Sequence, residues 1–188
     1  MIVRRCITPD VKWVKLWEIV GQHGNPYVFA SRRTDPSSPR THPDAVVIVP
    51  VLDGKLVLLS EYRPVLDGRE ISFPAGLVDK NETLERAAAR ELLEETGLTI
   101  KKIHMVSPNV YSSSGLTDEA VAFVFCEVTG TPTSANQESS EDINVMLLDA
   151  KQTMDLAFNR DAFHDAVIGA KTWPFLLVWE ELFKKKEA

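Results

Sequence analysis

Four charged side chains crowd one short segment of the sequence: Arg90, Glu91, Glu94 and Glu95. Carboxylates this close together repel one another, so a positive charge is expected beside them. An oxygen-rich cluster that contains no cysteine suits a hard divalent cation, which makes a metal ion the leading candidate. Whether the carboxylates meet depends on the secondary structure of the segment.

The segment is expected to form a helix, because it is rich in residues of high helix propensity. It ends at Gly97, a residue suited to a left-handed C-terminal cap, and a start near Glu82 or Thr83 is expected. Successive helical residues are rotated by about 100°. Glu91 and Glu95 therefore point along the same stripe as the apolar residues that seek the core.

Two glutamates on such a stripe need compensation. Like charges spaced i, i+4 destabilise an isolated helix by roughly 0.2–0.5 kcal/mol, and burying an unpaired carboxylate costs several kcal/mol more. A divalent cation would remove both penalties. A solvated helix face with pairs such as Arg90–Glu94 is also compatible with the helical spacing alone.

The wider spacing is far more specific than the helix. Residues 76–98 fit the pattern G-x5-E-x7-R-E-U-x-E-E-x-G-U, where U is apolar, at every fixed position. This pattern is the Nudix box, and the sequence therefore resembles Nudix hydrolases. The resemblance implies a metal-dependent enzyme that cleaves a nucleoside diphosphate linked to another moiety. It also implies Mg²⁺ or Mn²⁺ as the cofactor, held by glutamates of the box.

The same resemblance implies roles for individual residues of the box. Glu91 and Glu95 are the first-choice metal ligands, and Glu94 follows closely as a ligand and catalytic carboxylate. Arg90 would orient these glutamates and belongs to the catalytic set. Glu82 is expected to join the hydrogen bonds of the preceding loop rather than to bind metal.

Two segments outside the box resemble the ADP-ribose pyrophosphatase group in particular. Residues 61–63, EYR, are similar to that group's [Q/E]-[Y/F]-R, whose arginine contacts the substrate, and Arg63 is the matching residue. A guanidinium suits this role because it binds phosphate oxygens in a bidentate manner. Glu70 with residues 73–76, FPAG, is similar to the group's E-x-P-A-G with one residue more. The Ala75 carbonyl would then be an additional metal ligand.

The N-terminal 40 residues are similar to an arm that this group exchanges between the subunits of a dimer. In that group an arginine of the arm reaches the partner's substrate, and Arg32 and Arg33 stand at the matching place. An isolated hairpin is marginally stable in water. An arm that has to bury Trp13, Leu16 and Ile19 therefore favours a homodimer.

One segment departs from the group's pattern. Residues 113–119, SSGLTDE, match S-P-G-x-x-x-E except that Ser114 replaces the proline, while Glu119 is retained as a candidate substrate contact. This departure admits other ADP-sugars, GDP-sugars or dinucleotides as substrates. Trp17 and Tyr27 could stack on a base, although a place in the hairpin core or an interface explains them more simply.

The residue that activates water is expected outside the box. In the ADP-ribose group a glutamate from a later loop deprotonates or positions the water, in a segment similar to residues 141–143 here. Glu141 is therefore the predicted base, and Glu138 is the alternative. Attack on a phosphorus of ADP-ribose would release AMP and ribose 5-phosphate.

Composition narrows the function further. The formal net charge of −6 argues against sequence-independent binding of nucleic acids, which needs clustered lysine and arginine. Only two cysteines occur, too few for a disulfide framework, and Cys126 lies in an apolar run typical of a core. No signal-like or membrane-spanning apolar stretch is present, so the cytoplasm is the expected compartment. A nucleotide-sugar sensor without catalysis remains the alternative function.

The order of patterns predicts one α/β domain over residues 41–188, preceded by a β arm over residues 1–40. The resemblance implies that this domain is an α/β/α sandwich with a mixed sheet. Within it, Asp53-Gly54 is a strong hairpin signal between two apolar strands. Further strands are expected at 70–73, 100–106, 121–128 and 143–148, and helices at 150–158, 160–169 and 173–186.

Overall fold

The computed structural model describes residues 3–21, 24–137, 142–159 and 166–184. In these ranges the strands are β1 Val3–Cys6, β2 Lys15–Val20, β3 Pro26–Ser31, β4 Ala45–Leu52, β5 Lys55–Arg63, β6 Gly68–Ser72, β7 Ala75–Leu77, β8 Thr99–Val106, β9 Val110–Tyr111, β10 Ala120–Thr129, β11 Ile143–Leu148 and β12 Ala166–Ile168. The helices are α1 Leu84–Thr96, α2 Ala150–Phe158, α3 Trp173–Leu176 and α4 Trp179–Lys184. No helix in these ranges is long and apolar enough to cross a membrane.

The chain divides into two compact units, of which the first comprises residues 1–45 and 107–122. Its N-terminal part is a three-stranded antiparallel sheet in the order β1-β2-β3. Strands β2 and β3 form a hairpin within the arm predicted for residues 1–40, and β1 adds a third strand that the sequence pattern did not indicate. Backbone hydrogen bonds from Ala30 to Leu116 and from Asp118 to Ala30, at 2.9 and 3.3 Å, tie residues 113–118 to β3.

The second unit comprises residues 46–106 and 123–188. The large sheet has the order β12-β6-β5-β4-β10-β8, with β11 paired to β5, β7 to β4 and β9 to β10. Strand β12 runs parallel to β6, whereas β5 is antiparallel to β4, β6 and β11, so the sheet is mixed. The prediction of an α/β fold with a mixed sheet behind an N-terminal β element is confirmed.

The core of the second unit lies where α1 packs on the sheet. Ala87, Ala88 and Leu92 of α1 are fully buried against apolar residues of β4, β5 and β10. Cys126 belongs to this cluster, as its apolar neighbours predicted, and burial raises the pKa of its thiol to about 12. The thiol therefore stays protonated at neutral pH and acts as a small core residue.

The C-terminal part differs from the predicted helices. Residues 166–168 form strand β12 in place of the end of a helix over 160–169, because they pair with β6 along a sheet edge; residues 160–165 lie outside the described ranges. The helix predicted for 173–186 is interrupted between α3 and α4, where Leu177 donates to Pro174 in a tighter turn. Residues 185 and 186 also lie outside the described part.

Candidate active site

Helix α1 is closed at both ends by the residues that the sequence indicated. The Thr83 side chain accepts a hydrogen bond from the Arg86 amide at 3.3 Å, which caps the N-terminus. Gly97 has φ of +72° and donates its amide to Leu93, which closes the C-terminus. The predicted helix boundaries are therefore correct to within about one residue, the usual margin for helix ends.

Glu91 and Glu95 lie on the more buried side of the helix, as the rotation of about 100° per residue predicted. Glu95 lies on the buried side and is 6% exposed, although it is a carboxylate. Glu91 is partly buried beside it, whereas the Glu94 side chain is 42% exposed. A carboxylate buried this deeply needs hydrogen bonds or a positive charge to hold it in its ionised form.

One such hydrogen bond comes from strand β7, which precedes the helix. The amide of Ala75, the first residue of β7, donates to the Glu95 carboxylate at 3.0 Å. The structure thus joins two of the predicted metal ligands, the Glu95 side chain and the Ala75 peptide. This contact fixes the orientation of the glutamate relative to the strand.

Gly76 lies against the second glutamate of the site. A Cβ atom built on Gly76 would be 1.9 Å from the Glu91 carboxyl carbon and 2.0 and 2.2 Å from its oxygens. Any other residue at position 76 would displace this carboxylate. The glycine therefore provides the space in which Glu91 sits beside β7.

Arg90 forms ion pairs with three carboxylates of the site. Its guanidinium contacts Glu82 at 2.9 Å, Glu91 at 2.7 Å and Glu94 at 3.3 Å, and it donates to the Leu77 carbonyl at 2.9 Å. The hydrogen bonds to Glu82, followed by the hydrogen bond to Glu91 and then its charge, raise the pKa of Arg90 despite its partial burial. The same contact with Arg90 is the main cause that lowers the pKa of Glu82.

The donor set suits a hard cation. The predicted ligands, three glutamate side chains and the backbone carbonyl of residue 75, are all oxygen donors, the type that Mg²⁺ and Mn²⁺ prefer. In the part of the chain that the structure describes, no three His, Cys, Asp or Glu side chains are gathered closely enough to hold an ion. Arg90 instead contacts Glu91 and Glu94. The Glu91 carboxylate lies beside β7, in the space that a side chain at position 76 would fill.

Arg63, the predicted substrate arginine, lies at the end of β5 in a pair of ion contacts. It reaches Glu61 at 2.6 Å and Glu70 at 3.2 Å. Glu61 and Glu70 stand directly opposite each other on β5 and β6, where like charges destabilise a sheet. Arg63 relieves this repulsion by contacting both carboxylates.

Gly169 leaves room for one of these carboxylates, because a Cβ on Gly169 would be 2.7 Å from Glu70.

The predicted contact residues of the first unit fall into two sets. Arg32 contacts Glu119 at 3.2 Å, and Glu119 also accepts a hydrogen bond from the Ser112 hydroxyl at 2.8 Å. Arg33 instead donates to backbone carbonyls of residues 36, 38 and 39. The structure therefore brings Arg32 and Glu119 together and gives Arg33 a separate environment.

The loop after β10 supplies contacts that sequence reasoning missed. Gln137 donates to the carbonyls of Glu95 and Ile143 at 2.9 and 3.2 Å, and Asn136 donates to Leu93 at 3.3 Å. The last turn of α1 holds no basic residue, so its free carbonyls needed donors from elsewhere. The candidate bases Glu138 and Glu141 lie outside the described residues.

The fold and the sequence of this chain are similar to those of known proteins. The chain resembles a crystal structure of an ADP compounds hydrolase with a TM-score of 0.69 and 22% identity, over 100% of this chain and 96% of that one, which shows the fold. The NUDIX domain family matches residues 41–167. This protein therefore belongs to the Nudix family.

Two relatives carry the name ADP-ribose pyrophosphatase. The protein of Bacillus subtilis is 32% identical over 124 residues, which cover 65% of this chain and 66% of that protein. The protein of Saccharomyces cerevisiae is 35% identical over 128 residues, which cover 64% of this chain and 55% of that protein. A mouse ADP-sugar pyrophosphatase is 35% identical over 46% of this chain and 42% of its own length. The chain thus spans less than two thirds of the length of these relatives.

Proposed function

We propose that this protein is a metal-dependent pyrophosphohydrolase that cleaves the diphosphate of a nucleoside diphosphate sugar. ADP-ribose is the foremost substrate, with AMP and ribose 5-phosphate as products. The observation that carries this proposal is the joining of α1 to the preceding loop, where Glu95 accepts from Ala75 and Glu91 occupies the space above Gly76. The names of the relatives support the choice of substrate.

Glu91, Glu94, Glu95 and the Ala75 carbonyl would hold one or more Mg²⁺ or Mn²⁺ ions. A bound metal would supply polarisation of the diphosphate and charge stabilisation of its attacking and leaving oxygens. Buried Glu95 and partly buried Glu91 provide fixed negative charge for this purpose. The more exposed Glu94 would complete the ligand set or act as a catalytic carboxylate.

Arg90 would act as a positioning residue. It contacts all three of Glu82, Glu91 and Glu94, so it sets the spacing of the carboxylates before a ligand arrives. Glu82 completes this arrangement by accepting from the Asp79 amide at 3.2 Å, which ties the loop to the helix. Removal of a positioning contact of this kind weakens activity without removing a reacting group.

A glutamate from the segment after residue 137 would deprotonate or orient the attacking water. Glu141 is the first choice and Glu138 the alternative. Gln137 and Asp142 border this segment, and both are anchored: Gln137 donates to Glu95, and Arg69 contacts Asp142 at 2.6 Å.

Substrate phosphates and sugars would be bound by the arginines. Arg63 would exchange a contact with Glu61 or Glu70 for a phosphate oxygen, and its 40% exposure makes that exchange accessible. Arg32, Arg33 and Glu119 would contact the substrate from the arm region of residues 1–40 and from the segment around residue 119. This arm would join two copies of the chain, and residues 41–188 would form the hydrolase domain.

Ser114 favours one further candidate within the same reaction. It replaces a proline that the ADP-ribose group usually carries, and an ADP-sugar pyrophosphatase is also among the relatives. Other ADP-sugars, GDP-sugars or dinucleotides are therefore the second choice of substrate. The chemistry at the diphosphate would be unchanged.

A substrate panel tests the proposal. ADP-ribose, a second ADP-sugar, a GDP-sugar and a dinucleotide are incubated with enzyme and Mg²⁺ or Mn²⁺, and released phosphomonoester is measured with a coupled phosphatase. The expected result is the highest kcat/KM for ADP-ribose and no turnover after chelation. Turnover of another member of the panel instead would move the assignment to that substrate, and turnover of none would contradict hydrolysis.

A further inference from the structure

Arg40 is an arginine that the first unit buries almost completely. It lies in the connector between β3 and β4, and its side chain is only 8% exposed. Burying a guanidinium costs free energy unless carboxylates and carbonyls surround it. The proposed reaction assigns no role to this residue, so its partners are the guide to what it does.

The partners of Arg40 lie on two segments that are far apart in sequence. Its guanidinium contacts the Asp44 carboxylate at 2.7 Å and donates to the Asp118 carbonyl at 2.5 Å. The Asp44 carboxylate, 12% exposed, also accepts a hydrogen bond from the Ala120 amide at 2.9 Å. The Asp44 amide donates to the Ala120 carbonyl at 2.7 Å. The Arg40–Asp44 pair therefore holds the backbone immediately before and immediately after Glu119.

Glu119 is joined to a second candidate substrate contact. Its carboxylate contacts Arg32 at 3.2 Å and accepts a hydrogen bond from the Ser112 hydroxyl at 2.8 Å. The Ser112 amide also donates to the Glu119 carbonyl at 3.0 Å. A shift of the backbone at Glu119 would consequently move two proposed substrate contacts at once.

An arginine suits this place better than a lysine. One terminal nitrogen of Arg40 bonds to Asp44, while the other bonds to the Asp118 carbonyl. A planar guanidinium can serve both acceptors at fixed geometry, whereas a lysine has a single nitrogen. The ring of Tyr111, which pairs with Ala120 across β9 and β10, lies 6.0 Å from the guanidinium.

We infer that Arg40 and Asp44 are positioning residues that fix Glu119 and Arg32 for substrate binding. They act through these two side chains rather than by contacting the substrate. The metal-ligand candidates all belong to the second unit, so loss of the Arg40–Asp44 pair weakens substrate binding more than the chemical step. The inference rests on the proposed function, because Glu119 and Arg32 are substrate contacts only under that proposal.

Steady-state kinetics with Mg²⁺ and the preferred substrate of the panel separate this role from a contribution to folding alone. Arg40→Gln should raise KM at least about tenfold and leave kcat within about threefold of wild type. A variant that only folds less well has fewer active molecules, which lowers the apparent kcat and leaves KM unchanged.

Two conservative variants complete the series. Arg40→Lys keeps the charge but cannot serve both acceptors, so its KM should lie between those of wild type and Arg40→Gln. Asp44→Asn has nearly the same shape and removes the charge of the pair. It should also raise KM, which keeps the test valid if Arg40→Gln folds poorly.

A double-mutant cycle tests whether the pair acts through Glu119. Glu119→Gln alone should raise KM. Adding Arg40→Gln to it should raise KM by less than about threefold more, because the contact that the pair positions is already weakened. Arg5→Gln is the control, since it removes the Arg5–Glu18 ion pair of the same unit, and it should leave KM unchanged.

The inference is overturned if Arg40→Gln and Asp44→Asn both keep the KM of wild type. It is also overturned if Glu119→Gln leaves KM unchanged, or if Arg40→Gln raises KM as much in Glu119→Gln protein as in wild type. In each of these cases wild type still hydrolyses its substrate, so the proposed function stands. An inactive wild type instead contradicts the proposed function itself and this inference with it.

Discussion

Gly76 is needed in this site because the absence of a side chain leaves room for the Glu91 carboxylate. A glycine in a loop is ordinarily explained by backbone freedom, but here the reason is the Glu91 carboxylate, which fills the position of a Cβ. Sequence spacing showed that this glycine belongs with the glutamates. It could not show the physical reason, because the contact depends on the path of β7 beside α1.

Gly76→Ala is expected to reduce activity much more than stability. The new methyl group collides with the end of a flexible side chain, so Glu91 can move away while the backbone stays in place. We expect kcat/KM to fall at least about tenfold, with a change in unfolding free energy below about 1.5 kcal/mol. Gly68→Ala, where a Cβ meets only a carbonyl oxygen at 3.6 Å, should change neither quantity. Equal losses of activity in the two variants would contradict this account of Gly76.

The Glu82–Arg90 contact predicts a pH dependence of stability. Because Arg90 lowers the Glu82 pKa below its usual value of 4.5, the ionised form stabilises the folded state above that pH. This contribution is lost as the pH falls through the lower folded pKa. Glu82→Gln should reduce the unfolding free energy by about 1–2 kcal/mol at neutral pH, and the difference from wild type should shrink below pH 4.5.

Denaturant unfolding at neutral and acidic pH measures this difference. Glu85→Gln, an exposed residue in the first turn of the same helix, is the control and should show little pH-dependent change. A difference between wild type and Glu82→Gln that stays constant through the acidic range would show that Glu82 does not act through its charge.

Helix α1 and the β4–β5 hairpin show which elements a sequence specifies locally. Thr83 and Gly97 end the helix by capping, and Asp53 and Gly54 take φ of +47° and +75° in the predicted turn. These signals involve only neighbouring residues. Strand β12 was not predicted, because its pairing with β6 joins residues far apart in sequence.

Gly97→Ala should destabilise the protein more than Gly54→Ala, although both glycines have nearly the same positive φ. At Gly54 nothing lies within 4 Å of an added Cβ, so only the backbone penalty of about 1–2 kcal/mol applies. At Gly97 the Cβ would be 2.2 Å from the Thr133 methyl group and 3.1 Å from its amide nitrogen. An additional loss of roughly 1–3 kcal/mol is therefore expected. Thermal or urea unfolding measures the loss of stability in the two variants. Equal losses would contradict the additional destabilisation expected from the clash with Thr133.

At the scale of the whole molecule, part of the organisation is hidden from the sequence. Residues 107–122 belong to the same compact unit as residues 1–45, because backbone hydrogen bonds of Ala30 reach across more than eighty positions to Leu116 and Asp118. No composition change marks this association. The candidate site was more predictable, since its glutamates lie within one helix, whereas the Arg63 ion pairs depend on the register of β5 and β6.

The proposed homodimer has an observable basis in the first unit. Trp13, Leu16 and Val28 are 67%, 43% and 48% exposed, and Leu16 and Val28 share one face of the arm sheet. Exposed apolar patches of this kind mark association surfaces. Light scattering at micromolar concentration should give twice the chain mass for wild type.

Leu16→Glu should shift this dimer towards monomer. Val65→Glu, at a 91% exposed residue of the second unit, is the control and should leave the mass unchanged. A monomeric wild type at that concentration would count against exchange of the arm between subunits.

The most direct test of the central claim is the rate of phosphomonoester release from ADP-ribose by wild type, Glu95→Gln and Glu85→Gln, each with Mg²⁺ and with a chelator. Glu95 is buried in the site, whereas Glu85 is an exposed glutamate of the same helix. We predict metal-dependent release by wild type and Glu85→Gln, and a loss of at least about a hundredfold in Glu95→Gln. Undiminished release by Glu95→Gln, or release by wild type without metal, would contradict the assignment of this cluster as the metal-dependent centre.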